Sequence, residues 1–84
     1  MYAVEFLPSA ARELANLDQA MQRRIARRIN QLAEDPRGAG SVKLRGADDV
    51  WRVRVGDYRI LYRIEDDTLL VLVIKVGHRR AVYR

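Results

Sequence analysis

Val50-Trp51-Arg52-Val53-Arg54-Val55-Gly56-Asp57-Tyr58-Arg59-Ile60-Leu61-Tyr62-Arg63-Ile64 alternates in character on both sides of a Gly-Asp pair. Period two predicts strands over 50–55 and 58–65, and Gly56-Asp57 suits a two-residue hairpin loop of the Gly-X kind. That loop length sets the pairing: Val55 faces Tyr58, Arg54 faces Arg59, Val53 faces Ile60 and Arg52 faces Leu61. Directly opposed residues project to the same face of a sheet. Trp51, Val53, Val55, Tyr58, Ile60 and Tyr62 therefore share a side apolar enough to receive helices, while Arg52, Arg54, Arg59 and Arg63 share the other. A one-residue slip would bury four guanidinium groups, so the register is strongly specified.

Arg54 opposite Arg59 is the informative pair, because like charges facing across a ladder destabilise it by up to about 1 kcal/mol. A sheet built only for stability more often carries Glu or Thr there. One reading is a solvent face relieved by Asp57, Glu65 or Asp66. The other is a face meant for a polyanion, where a phosphate turns repulsion into a charge-assisted clamp.

Working outward, Leu69–Val76 is apolar at nearly every position and predicts a third hairpin strand over 68–76, central, covered on both faces and ended by Gly77. On the other side, Gly38-Ala39-Gly40-Ser41 is a loop, and Asp35-Pro36 stops a helix. That helix, over 19–34, carries Met21, Ile25, Ile29 and Leu32 as one apolar stripe, with Asp18 as its N-cap. Arg23, Arg24, Arg27 and Arg28 lie largely off the stripe and read as a solvated face. A shorter helix over 9–17 starts at Ser9, and a first strand over 2–7 closes at Pro8. The expected architecture is α+β, in the order β-α-α-β-β-β, with an N-terminal helical hairpin packed on a small, mostly antiparallel sheet.

Eighty-four residues make a single domain, 1–84, and 49% hydrophobic with 32% charged residues is a globular profile. No cysteine is present, which removes disulfides, thiolate metal sites and a cysteine nucleophile. One histidine alone makes a protein-built zinc site unexpected, and neither metal nor cofactor is expected. No basic n-region precedes an apolar stretch, and the longest apolar run, Leu69–Ile74, is six residues, so a cytosolic location with no membrane contact is expected. The net charge is +5, and arginine supplies fourteen of the sixteen basic residues. Residues 43–84 hold +4 of that charge, so a polyanion should bind to the second half. The tail His78-Arg79-Arg80-Ala81-Val82-Tyr83-Arg84 adds a histidine, the one side-chain type with an unperturbed pKa near neutrality. His78 can serve as a proton shuttle or as a surface cap, and Tyr83 can stack a base, donate a proton or pack on the sheet edge.

Trp51 to Tyr62, with Val76-Gly77-His78-Arg79-Arg80-Ala81-Val82-Tyr83 and the turn Lys43-Leu44-Arg45-Gly46, resembles the RelE/ParE toxin superfamily, in its RelE-like branch. The resemblance spans the whole chain. It implies the toxic half of a type II toxin–antitoxin pair that cleaves messenger RNA in the ribosomal decoding site. A cognate antitoxin would hold it inactive in a heteromeric complex. Carried over by residue, it places catalytic groups at Arg52, Arg54, Arg59, Arg79 (with Arg80 in reserve) and Tyr83. Lys43, Arg45, Arg63 and Arg80 are expected to bind RNA around them.

The best-known branch has lysines where this chain has Arg52 and Arg54. RNA cleavage by the adjacent 2′-hydroxyl needs that hydroxyl activated, the phosphorane charge stabilised and the 5′-oxygen protonated. Arginine suits the second task, since its fork matches two phosphate oxygens, but its pKa above about 12 makes it a poor base. Tyr83 or His78 would then move the proton, with the ribosome supplying much of the positioning. Two rival readings stand beside this one: a ParE-like toxin that inhibits DNA gyrase by binding, and a catalytically degenerate basic binding module.

Overall fold

The computed structural model describes residues 1–46 and 49–78. Seven elements follow in order: β1 (Ala3–Phe6), α1 (Pro8–Ala15), α2 (Gln19–Glu34), β2 (Val42–Lys43), β3 (Val50–Val55), β4 (Tyr58–Glu65) and β5 (Leu70–His78). They form one five-stranded sheet in the order β1-β5-β4-β3-β2. Only β1 and β5 run parallel, and every other pair is antiparallel. The expected order β-α-α-β-β-β is met, with the two-residue β2 added at the outer edge of β3.

Periodicity and capping account for α2. The Asp18 carboxylate accepts the Met21 N–H at 2.8 Å, satisfying a donor that the first turn leaves unbonded. Ile25, Ile29 and Leu32 then fall on one side and are buried against Val53, Ile60 and Tyr62 of the sheet. Each such side chain contributes roughly 1.5–3 kcal/mol. Trp51 packs at the margin of this core, half-buried.

The first helix begins earlier than expected. Leu7 is its N-cap and Pro8 its first residue, while Ser9 makes no cap. Proline suits that position because its missing N–H would have had no partner and its φ is already helical. The helix also stops at Ala15, short of Leu17. Gln22 Nε2 donates to the Ala15 and Leu17 carbonyls at 3.1 and 2.8 Å, stitching the connector to α2. Tyr2 leaves the β1 ladder, and its N–H bonds the Ala33 carbonyl at 2.8 Å.

The last strand differs most from expectation. Leu69 sits in the turn with φ of 49°, so β5 starts at Leu70. Gly77 does not end it: Arg59 pairs with Gly77 and Tyr58 with His78, because β4 offers partners along its whole length. β5 lies between β1 and β4, and the central strand is β4. Val71, Val73 and Val76 are buried under the helices, but Leu70 and Leu72 on the opposite side stay half-buried, so only one face is fully covered. A register shift opposite Leu61/Tyr62 restores the alternation.

Candidate nucleic-acid interface

The β3–β4 hairpin is the scaffold of the site. Gly56 has φ of 58° whereas Asp57 is not in the left-handed region, as a two-residue loop led by glycine requires. The register follows the sequence: Arg52 with Leu61, Val53 with Ile60, Arg54 with Arg59, Val55 with Tyr58. Val53, Val55, Ile60 and Tyr62 are buried under the helices, so the arginines stand on the other side.

Continuing each row across the sheet shows what surrounds them. One row is Arg54, Arg59, Gly77; a second is Val42, Arg52, Leu61, Lys75; a third is Val50, Arg63, Leu72, Glu5. The four cations therefore share their face with half-buried Leu61 and Leu72. Arg54 and Arg63 are exposed, Arg52 is half-buried, and Arg59 is only 9% exposed. Arg59 lies on the central strand, paired with Gly77. Guanidinium groups so placed can fork onto phosphate oxygens while leucines support sugar or base.

Two residues expected near this face lie elsewhere. His78 pairs with Tyr58, which pairs with Val55, so His78 belongs to the helix-facing side, one step of alternation from Gly77. Its ring meets that of Tyr58 edge-on, with centroids 5.6 Å apart at 81°. Lys43 pairs with Trp51 and likewise shares the helix-facing side, its Nζ 3.9 Å from Asp49 Oδ1. Arg45 is exposed in the turn after β2. Arg79, Arg80 and Tyr83 lie outside the described residues.

Of the acidic residues proposed to relieve the arginines, Asp66 has other work. Asp66 accepts both Arg37 guanidinium nitrogens, at 3.0 and 2.8 Å, and the Tyr2 hydroxyl at 2.7 Å. The bond from Arg37 foremost, then that from Tyr2, holds the Asp66 carboxyl down at about 2, while the bond to Asp66 pushes the Tyr2 hydroxyl up. The Arg37 guanidinium also lies 5.7 Å from the centre of the Trp51 ring. Tyr62, buried in the core, donates to the Pro36 carbonyl at 2.7 Å and accepts from the Ser41 hydroxyl at 3.0 Å, and burial raises its phenol.

Sequence reasoning passed over Glu13. One carboxylate oxygen accepts from Lys75 Nζ at 2.6 Å, and the other accepts the Val76 N–H at 3.1 Å. Glu13 thus takes over where β1 ends, satisfying the free edge of β5 and drawing Lys75 away from the arginines. No local pattern signals it, since the partners are 62 and 63 positions apart. A second feature is a fissure between α1 and α2, three adjoining hollows of about 390, 320 and 300 Å³. Val4, Phe6, Leu14, Ala26 and Ile29 line it, with Arg23 at one end.

Fold and face together define a small two-layer α+β domain with one basic sheet surface. A family model for the ParE toxin of type II toxin–antitoxin systems, parDE, matches residues 4–83. A putative RelE-like toxin protein of Escherichia coli is 32% identical over 80 residues, 93% of this chain and 83% of that protein. The mRNA interferase toxin RelE of Escherichia coli strain K12 is 29% identical over 80 residues, again 93% and 83%. The intact E. coli RelBE toxin–antitoxin complex contains a chain that superposes with a TM-score of 0.83 at 28% identity, covering 93% of this chain and 96% of that one. The chain belongs to the RelE/ParE superfamily, and it is a RelE-like toxin of the type II toxin–antitoxin class.

Proposed function

We propose that the protein is a ribosome-dependent endoribonuclease that cuts messenger RNA and is silenced by a cognate antitoxin. The observation that carries this reading is Arg54 paired with Arg59, flanked by Arg52 and Arg63, on the sheet face away from the helices. The similarity to a toxin named mRNA interferase supports the same chemistry. The message's 2′-hydroxyl gives up its proton to solvent and bonds to the adjacent phosphorus, Arg52, Arg54 and Arg59 stabilise the dianionic phosphorane, and breaking of the bond to the 5′-oxygen leaves a 2′,3′-cyclic phosphate. Arg79 adds to that charge, and Tyr83 protonates the departing 5′-oxygen. Lys43 and Arg45 contact RNA outside this face. His78, on the helix-facing side, is the weaker candidate for the proton step. With arginine a poor base, most of the rate comes from orientation and charge within the ribosome, so free RNA should be cut slowly.

Single-turnover cleavage on programmed ribosomes, with affinity measured in parallel, tests the assignment. Arg54→Ala or Arg59→Ala should each lower the rate by about 10²–10³. Tyr83→Phe should leave affinity nearly intact and slow the chemical step. A wild-type rate for Tyr83→Phe would remove its hydroxyl from the mechanism. The ParE name of the matching family model favours one second reading, inhibition of DNA gyrase by binding. DNA damage with intact messages on induction would select it, whereas cuts phased with codons would select the nuclease.

The antitoxin is the second partner. The related E. coli toxin chain is seen in a RelBE complex, and the archaeal RelE of Pyrococcus horikoshii in a RelE–RelB complex. A segment with acidic and apolar residues fits this chain, and the fissure between α1 and α2 offers the apolar seat, with Arg23 at its rim.

A further inference from the structure

The arginines of α2 are not scattered. Arg23, Arg24 and Arg27 are exposed opposite the buried stripe, and α2 carries no acidic residue before Glu34 at its last position. Like charges four residues apart, as in Arg23/Arg27 and Arg24/Arg28, weaken a helix. Arg28 has a structural task, since it donates to the Ala39 carbonyl at 2.8 Å and to Gln31 Oε1 at 3.2 Å. Among the described residues, Arg23, Arg24 and Arg27 make no hydrogen bond or ion pair. Arg24 also reaches the tip of the arginine hairpin: its Nη1 lies 3.5 Å from where a Cβ on Gly56 would stand. Arg54, two residues before Gly56, is on the opposite face of the same hairpin. Cations therefore flank both sides of the tip, with the exposed Asp57 of the turn between them.

We propose that Arg24 and Arg27 form a second RNA-backbone contact, so that the hairpin tip wedges between the strand to be cut and a separate structured RNA segment. This rests on the nuclease reading and names the partner of the opposite side of the domain. The chemistry favours a phosphate backbone over an acidic protein. The exposed positions beside Arg24 and Arg27, one helical turn away, are Ala20 and Gln31, neither a large apolar anchor of the kind that centres a protein interface, whereas Arg23, Ala26 and Asn30 border the apolar fissure. A row of guanidinium groups needs no anchor to hold phosphates.

Binding to programmed ribosomes as a function of salt decides the matter, using an Arg24→Gln/Arg27→Gln variant that leaves Arg23 and the fissure untouched. Removing two phosphate contacts should lower the slope of log affinity against log salt by about 1.5. At physiological salt, binding should weaken roughly ten-fold. The loss should appear in the toxin concentration giving half-maximal cleavage and not in the rate at saturation, with thermal melting confirming the fold. A slope and affinity equal to wild type would overturn the proposal. So would intact ribosome binding with lost antitoxin affinity, which would make the surface an acidic-peptide site. Wild-type toxin that binds ribosomes without cutting would end the nuclease reading alone, leaving the slope to judge this contact. Wild type that binds no ribosomes would end both.

Discussion

Arg54 and Arg59 show at the level of single residues that stability and function pull apart. Their direct pairing places two guanidinium groups on neighbouring strands, and Asp66, one of the acids able to relieve them, is committed to Arg37 and Tyr2. Replacing Arg54, the exposed member, with Thr should stabilise the domain by about 0.2–1 kcal/mol. For a domain of this size that is a rise of about 1–8 °C in melting temperature, measurable by circular dichroism. The same variant should lose cleavage on ribosomes. A Tm equal to or below that of wild type would mean the pair carries no repulsion. Arg59 is different, because at 9% exposed it is set into the sheet beside Gly77 and its loss also removes packing.

At the level of elements, the β3–β4 hairpin converts a two-residue turn into a functional surface. Gly56 at φ of 58° is the hinge of that conversion. Alanine there would meet Arg24 only at 3.5 Å, an ordinary contact, so the penalty comes from the backbone and not from a clash. Gly56→Ala should therefore cost about 1–3 kcal/mol in denaturant unfolding. It should also reduce cleavage by more than the unfolded fraction explains, because the turn sets how Arg54 meets Arg59. An unfolding midpoint unchanged from wild type would show that the turn tolerates a side chain. The opposite end of the sheet is held differently, by β1 and then by Glu13, which bonds the Val76 N–H where the β1 ladder stops at Phe6–Val73.

Across the whole molecule, two charge systems act at different ranges. The Arg37–Asp66–Tyr2 cluster links the loop after α2, the β4–β5 turn and the N-terminal segment. Because Asp66 is held at about 2, below its unfolded value, the cluster's stabilisation is present above about pH 4. It is lost as pH falls toward 2. Asp66→Asn should flatten the dependence of Tm on pH between about 4 and 2 while lowering Tm at neutrality. An unchanged acid limb would show that other carboxylates govern acid unfolding. At longer range, the +5 net charge should steer an acidic antitoxin segment, so association should be fast and should slow with added salt. Stopped-flow on-rates that do not vary with ionic strength would exclude steering.

The sequence by itself determined the hairpin register, the faces of its arginines and the buried stripe of α2. These are written in contacts between neighbours in the chain: a two-residue turn counts off its own pairs, and a helix repeats every three or four residues. The family, too, was legible in those same motifs. What only the tertiary structure decided is which groups reach one another from afar. His78 belongs to the helix side because β4 is long enough to carry β5 past Gly77, and no pattern within β5 states the length of its partner. Asp66 is spent on Arg37, 29 positions away, and on Tyr2, 64 positions away. Lys75 is turned from the arginine face by Glu13, and Arg24 is brought to the hairpin tip, only because α1 and α2 cross the sheet where they do. Such placements depend on the path of the chain, which local alternation does not encode.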